Sequence, residues 1–299
     1  MTIDIMMPFY GDPDQLRAAV SSALAQTDPD WRLVVIDDQY PDRAPGEWVR
    51  GLGDPRVQYL LNETNLGVSG NFSRSLDLVE SEHFVLMGCD DVLEPGYIAQ
   101  MRAAIERFPG TSYFQPAVSV ISDRGNDILP LADRVKRWSR PSSPQPVILR
   151  GEPLAVSLLR GNWTYFPSIC WRTEAVRQAE GFDPDYEIVL DLALQLTIIA
   201  GGGTMALLPE RTFRYRRHEA SVSSATARYG GRFDEERRFF QNVAGDMEAM
   251  GWHHAARAAR RHVTSRLNAA TKLPRALRVG DRDGSSSLLR HVFTNRTVR

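Results

Sequence analysis

Cysteine is nearly absent from this 299-residue chain: Cys89 and Cys170 are the only two, each inside an apolar stretch. A disulfide framework and a Cys-rich zinc site are thereby excluded, and the pair is expected as reduced core thiols of a cytoplasmic protein. No stretch reaches about 18 uninterrupted apolar residues, so a membrane-spanning helix is not expected. The N-terminus runs straight into Ile3-Asp4-Ile5-Met6-Met7 without a basic region and a long apolar run, so no secretory leader is expected either. Excess charge of one sign is also missing. A net charge of −1 gives no global pull toward nucleic acid, and no nucleic-acid partner is expected. No G-x-G-x-x-G follows the first apolar run, which argues against a dinucleotide oxidoreductase.

What is present is ordinary globular material, 42% apolar and 24% charged, long enough for one large α/β domain with an appended region. The first hundred residues alternate short apolar runs with helical periodicity, the pattern of βαβ units and a mostly parallel sheet. Ile3-Asp4-Ile5-Met6-Met7 predicts strand one, and Leu16, Ala19, Val20, Ala23 and Leu24 predict a helix over about 14–25. Leu33-Val34-Val35-Ile36 predicts a strand ending in Asp37-Asp38, followed by a polar loop over 41–54. A strand over 57–61, a helix marked by Phe72, Leu76 and Val79, and the strand Phe84-Val85-Leu86-Met87 come next. That strand leads into Gly88-Cys89-Asp90-Asp91 and a helix carrying Tyr97, Met101, Ala104, Ile105 and Phe108. Right-handed crossovers put the carboxyl ends of such strands on one edge, where open α/β sheets place ligands. Asp38 and Asp91 are therefore expected to face one cleft.

After Tyr113 the pattern changes to a strand over 117–122 with a hairpin turn, a short helix capped by Thr173, a helix from about Leu190, and late strands over 205–208 and 213–215. The remainder reads as helical, with Phe233, Phe240, Val243, Met247 and Met250 on one face. Residues 251–299 hold eleven Arg/Lys against two Asp, a local excess of nine positive charges. This basic region would suit contact with an anionic membrane surface, or equally the solvated side of helices packed on the main domain.

Two adjacent carboxylates at a strand's end, Asp90-Asp91, offer hard oxygen ligands for Mg²⁺ or Mn²⁺; alternatively the second Asp merely caps the following helix. A carboxylate at Asp38 can accept the imide N–H of a uracil or thymine ring. Pro8-Phe9-Tyr10 at the exit of the first strand places an aromatic where a base could stack, or where it simply packs on the loop.

The stretches MMPFYGDPDQLRAAVSSALAQTDPDWRLVVIDD, NLGVSGNFSRSLDLVESEHFVLMGCDDVLEP, GFDPDYEIVLDLALQL and FRYRRHEASVS together resemble the family 2 glycosyltransferases of GT-A fold, over roughly residues 3–224. The resemblance implies a GT-A-like, Rossmann-type sheet flanked by helices, with a C-terminal helical extension. It implies that Pro8, Phe9, Tyr10 and Asp38 hold the nucleoside, that Asp90 lies near the ribose and diphosphate, and that Asp91 binds the metal, Mn²⁺ or Mg²⁺. Gly67 and Arg74 would line the donor site, with Arg74 facing phosphate. Asp191 would be the general base, and His218 would reach the diphosphate or metal. Residues 1–120 would form a nucleotide-sugar-binding half, 121–224 an acceptor-binding half, and 225–299 the helical, basic extension.

The implied reaction is inverting transfer of a sugar from a nucleotide-diphosphate sugar, UDP- or dTDP-linked, to a hydroxyl of a glycan, lipid-linked or small-molecule acceptor. Two alternatives stand beside it, a sugar-phosphate nucleotidyltransferase and a non-catalytic nucleotide-sugar-binding module. Against the first, Pro8-Phe9-Tyr10-Gly11-Asp12-Pro13 is not the Gly-rich basic loop that grips a triphosphate. The chain departs from the family at Gly11, at Gln39-Tyr40 after the first Asp pair, at Gly88 and at Leu190.

Overall fold

The computed structural model describes residues 1–218, 229–278 and 282–293. Residues 219–223 of the last family-like stretch and the expected boundary at 224 lie outside the described residues. Among these, nine strands make one sheet: β1 (Ile3–Phe9), β2 (Trp31–Asp37), β3 (Val57–Leu61), β4 (His83–Leu86), β5 (Val92–Leu93), β6 (Tyr113–Ile121), β7 (Val147–Arg150), β8 (Cys170–Arg172) and β9 (Thr204–Arg216). Their order is β3-β2-β1-β4-β8-β6-β9-β5, with β7 paired to β9. β3, β2, β1 and β4 are parallel neighbours, whereas β8 is antiparallel to both β4 and β6. Phe9 pairs with Asp37, so β1 and β2 end level, whereas Leu86, the last residue of β4, pairs with Met6 and leaves β4 three residues short on the same edge.

Four helices make the crossovers of this half: α1 (Pro13–Leu24), α2 (Ala44–Gly51), α3 (Gly67–Asp77) and α4 (Tyr97–Arg107). α1 starts where it does because Asp12 caps it, its Oδ1 accepting the N–H of Asp14 at 2.7 Å, with Pro13 in the first turn. The sheet is buried on both faces, as the unbroken apolar runs require. Met6, Val34, Ile36 and Leu86 face one core layer; Ile5, Met7, Leu33, Val35 and Val85 face the other, with α1 and α4. This is the two-residue period of a strand.

The rest of the chain adds α5 (Leu131–Ser139), α6 (Gly151–Arg160), α7 (Thr173–Gln178), α8 (Leu190–Ala200), α9 (Tyr229–Ala249), α10 (His253–Arg261), α11 (Val263–Arg278) and α12 (Arg282–Phe293). Phe239, Phe240, Val243, Met247, Ala255 and Ala259 of α9 and α10 join the same core layer as Leu154 and Leu158 of α6 and Leu192 and Leu196 of α8. The first half of the C-terminal region thus closes one face of the sheet. α11 and α12 contribute to a small separate cluster of Phe233, Ala269, Ala276 and Leu288. No described helix is long and apolar enough to cross a membrane.

Several local expectations are corrected. The polar loop over 41–54 contains α2, because Pro45 sits in its first turn and Val49 packs inward. The two late strands are one thirteen-residue strand, β9, continuous through Pro209 because it lies between β6 and both β7 and β5. Thr173 does not cap α7; its hydroxyl instead donates to the carbonyl of Ser81 at 2.7 Å. Met250 is exposed, since α9 ends at Ala249 and Gly251, at φ +78°, turns the chain away.

Candidate active site

Asp90 and Asp91 follow β4 on the open edge, and the structure rules out the capping alternative for them. The two residues of β5 intervene, and the residue that precedes α4 is Gly96. Instead the two carboxylates converge over Gly88: a Cβ built there would lie 2.5 Å from Asp90 Oδ1 and 2.8 Å from Asp91 Oδ2. The departure from the family at Gly88 therefore has a steric reason in this chain. Asp91 is buried; its Oδ1 accepts the backbone N–H of Arg216 at 2.8 Å, while Oδ2 is buried with no partner among the described residues. Burial, and then the neighbouring charge of Asp90, push the Asp91 carboxyl well above the usual range. An orphaned carboxylate oxygen beside a second carboxylate, over a position with no side chain, fits a hard divalent cation.

The imidazole of His218 sits at the same place. Its Nε2 lies 2.7 Å from Asp90 Oδ2 and its Nδ1 2.5 Å from Asp123 Oδ1, and the bond to Asp90 leads in holding its pKa above the ordinary value. His218 therefore joins the pair but is committed to Asp90 rather than facing Asp91. Among the described residues no group of three His, Cys, Asp or Glu is arranged to hold a metal by itself. The cradle is a two-carboxylate one.

Arg216, to which sequence reasoning assigned no role, locks the site. Its Nε donates to the carbonyl of Asp90 at 2.6 Å and its Nη1 to the carbonyls of Ser122 and Asp123, each at 2.9 Å. One buried guanidinium thus ties the ends of β9 and β6 to the Asp90-Asp91 turn.

On the neighbouring strand ends, Asp38 is a brace rather than an open acceptor. Its Oδ1 accepts from Asn62 Nδ2 and the N–H of Leu66, each at 2.8 Å, and its Oδ2 from the N–H of Gly67 at 2.9 Å. The carboxylate is buried, so the expected contact with a base imide gives way to a role in fixing Gly67, whose φ of +71° opens α3. Asp37 is likewise engaged, by the N–H of Tyr40 at 2.7 Å and the hydroxyl of Tyr59 at 2.5 Å. Phe9 is fully buried and packs on Tyr40, and Pro8 lies beside it in β1, so of the three predicted residues only Tyr10, 54% exposed, presents an open ring. Tyr10 meets Tyr40 edge-on at 5.7 Å. Arg74 is exposed on α3 with no hydrogen-bond or ion-pair partner among the described residues, an uncommitted cation.

Asp191 opens α8 as expected, in the first turn where the helix dipole favours a carboxylate. Its Oδ2 accepts from Asn162 Nδ2 at 2.9 Å. The Thr164 hydroxyl donates to Asn162 Oδ1 at 2.6 Å, and Lys136 Nζ donates to the Thr164 carbonyl at 2.6 Å. Burial lowers the Lys136 ammonium to about 8, with the charges of Asp191, Arg217 and Asp133 also acting on it. Arg217 forks onto Asp133 at 2.9 and 3.0 Å, and Tyr165 donates to the same carboxylate at 2.9 Å. Arg217 is also among the charges felt at Asp91. A continuous polar chain thus runs from Asp90-Asp91 through Arg216-Arg217, Asp133, Tyr165 and Lys136 to Asn162 and Asp191. Asp133, Lys136 and Asn162 carried no local signal; only the fold brings α5, the segment before Phe166 and the start of α8 together.

The approach to α8 is held by the C-terminal region. Glu235 Oε1 of α9 accepts the N–H groups of Glu187, Ile188 and Val189 at 3.1, 2.7 and 3.3 Å. Asn242 donates to the Tyr186 hydroxyl at 3.0 Å, and Arg238 to the carbonyl of Asp185 at 2.9 Å.

Comparison with known proteins bears on the family and the fold. The family model described as glycosyl transferase family 2 matches residues 4–156. The succinoglycan biosynthesis protein ExoO of Rhizobium meliloti is 26% identical over 223 residues, 74% of this chain and 62% of that protein. The chain thus spans less than two-thirds of the length of this relative. A UDP-Glc:alpha-D-GlcNAc-diphosphoundecaprenol beta-1,3-glucosyltransferase of Escherichia coli, WfgD, is 30% identical over 90 residues, 30% of this chain and 35% of that protein. Among solved structures, S. aureus TarS 1-349 in complex with UDP-GlcNAc superposes with a TM-score of 0.63 at 13% identity, covering 100% of this chain and 93% of that one. The fold is therefore that of GT-A enzymes.

Proposed function

Because the chain belongs to glycosyl transferase family 2, we propose that it transfers a sugar from a nucleotide-diphosphate sugar to an acceptor hydroxyl, with inversion and with a divalent cation at Asp91. The observation that carries this is the convergence of Asp90 and Asp91 over Gly88, with the Asp91 Oδ2 buried and unpartnered among the described residues. A UDP- or dTDP-linked donor is favoured. Its base would stack on Tyr10, its ribose lie by Asp90, and its phosphates face Arg74, with Gly67 shaping the wall between them. When bound, Mn²⁺ or Mg²⁺ would supply neutralisation of charge on the departing diphosphate.

Asp191 would act at the other end of the polar chain. Its Oδ2 is oriented by Asn162, so Oδ1 is the atom that takes the acceptor proton as the hydroxyl oxygen bonds to the anomeric carbon and the bond to the diphosphate oxygen breaks. The acceptor class most in keeping with the WfgD likeness is a lipid-linked diphosphate saccharide.

The test is Asp191→Asn. We expect turnover to fall by about 10²–10⁴ with UDP-sugar binding intact, and near-normal turnover would remove Asp191 from the role. A melting-temperature panel of UDP-, dTDP- and GDP-sugars with and without Mn²⁺ tests the donor. Binding at a hundredfold excess over Kd raises apparent stability by about 2.7 kcal/mol; absence of any response would count against the reading, and metal-independent binding without turnover would favour a binding module.

A further inference from the structure

α5 is built inside out. Two of its charged residues point into the molecule: Asp133 is buried against Arg217 and Tyr165, and Lys136 reaches the Thr164 carbonyl and lies 4.6 Å from the centre of the Tyr165 ring. Its apolar residues point outward. Leu131 is 72% exposed, Val135 41% and Trp138 88%, and spacings of four and three residues place them on one face. Leu129, 47% exposed, extends the same patch just ahead of the helix. A helix docked in water normally buries its apolar stripe, so this orientation leaves an apolar face open in a place where polar contacts hold it firmly.

The exposed cations of this helix, Arg134 and Arg137, run along one side of the apolar face, and its one acid, Asp133, is neutralised inside by Arg217. An apolar face carrying tryptophan with cations along its edge is the chemistry of a helix lying in the headgroup region of an anionic bilayer. Three side chains on a helix of roughly 13 Å, with Leu129 ahead of it, are too small a patch for the roughly 800 Å² per partner that a stable protein interface takes.

We infer that α5 is the surface on which this protein rests against an anionic membrane, with Leu131, Val135 and Trp138 inserted at headgroup depth and Arg134 and Arg137 on the lipid phosphates. The inference rests on the glycosyl-transfer reading for its purpose. α5 is joined to Asp191 through Lys136, Thr164 and Asn162, so a membrane at α5 brings a lipid-borne hydroxyl to the acceptor side of the cleft.

The experiment is co-sedimentation of the full chain with phosphatidylcholine vesicles with and without phosphatidylglycerol, with UDP and Mn²⁺ binding measured separately by calorimetry. Wild-type protein should bind the anionic vesicles, less so at high salt. At about 1 kcal/mol per cation, roughly fivefold, Arg134→Gln with Arg137→Gln should weaken binding about 25-fold. Leu131→Ser with Trp138→Ser should weaken it at least about tenfold, with unchanged UDP binding and melting temperature. Brominated lipid should quench wild-type fluorescence more than that of Trp138→Phe. Absent vesicle binding, undiminished binding in both double variants, or loss in them of a wild-type dimer would overturn the assignment. Loss of UDP binding in wild-type protein that still binds vesicles would instead sink the glycosyl-transfer reading alone.

Discussion

Replacing Glu235 by alanine separates the catalytic use of the C-terminal region from its packing. One carboxylate oxygen of α9 receives three successive backbone N–H groups, Glu187, Ile188 and Val189, at the entry to α8. Of the three contacts only the 2.7 Å bond to Ile188 is short, so the set is not worth three full charged hydrogen bonds. Loss of a helix cap costs about 0.5–2 kcal/mol, and a charged hydrogen bond about 1.5–3 kcal/mol. A destabilisation of about 2 kcal/mol is expected, a melting shift of roughly 3 °C for a chain of this length. The larger effect should be on turnover. Asp191 lies two residues beyond Val189, and the segment it leaves is otherwise held to α9 by Asn242 and Arg238. A displacement of order 1 Å at a reacting group can cost about 10²-fold, so kcat should fall between tenfold and a hundredfold with donor affinity unchanged. Glu235→Gln, which keeps an acceptor oxygen, should recover most of both. A lower melting temperature with wild-type kcat would show that α9 merely packs, and an equal loss of UDP binding would place the damage elsewhere.

Two further outcomes are expected. Gly88→Ala puts a Cβ within 3 Å of both Asp90 Oδ1 and Asp91 Oδ2; UDP affinity in the presence of Mn²⁺ should fall at least about tenfold, lowering the stabilisation UDP gives by about 1.4 kcal/mol, and an unchanged response would disprove the cradle. His262 and His291 are buried with rings 5.0 Å apart, and burial lowers each to about 4. The unfolded chain then binds more protons below its ordinary histidine pKa of about 6.5, so their stabilising contribution is full above that pH and is lost as pH falls toward 4, by up to about 3 kcal/mol per group. Melting followed from pH 7 to 4 should show this loss, and His262→Phe with His291→Phe should flatten it if the protein folds; a wild-type slope no different from that of the double variant would refute it.

Much of the framework was legible because it rests on local periodicity. Strand-length runs of Ile, Val, Leu and Met buried on both sides, with helical spacing between them, specify parallel βαβ units from the residues alone, and the edge carrying Asp38 and Asp90-Asp91 follows from their handedness. The Asp pair and Asp191 were placed by motif at strand and helix ends, where few backbone arrangements are open. What each carboxylate does there was not legible. Asp38 and Asp91 are the same residue type at comparable strand ends, yet Asn62, Leu66 and Gly67 saturate one while the other keeps a bare oxygen.

Partners brought from distant positions decide such differences, and sequence spacing carries no information about them. Arg216 reaching Asp90, Asp133 meeting Arg217 and Glu235 capping the approach to Asp191 each join residues 47 to 126 positions apart. The inverted α5 shows the same limit: helical spacing marks Leu131, Val135 and Trp138 as one face, but whether that face is core or surface depends on where its polar side finds partners. The sequence by itself thus determined the sheet, its open edge and the chemistry available there, because hydrophobic period and turn position are local. Only the tertiary structure decided which carboxylate oxygen is left unpartnered among the described residues, which region holds the candidate base, and which apolar face is left to the outside, because burial and pairing are set by the whole chain.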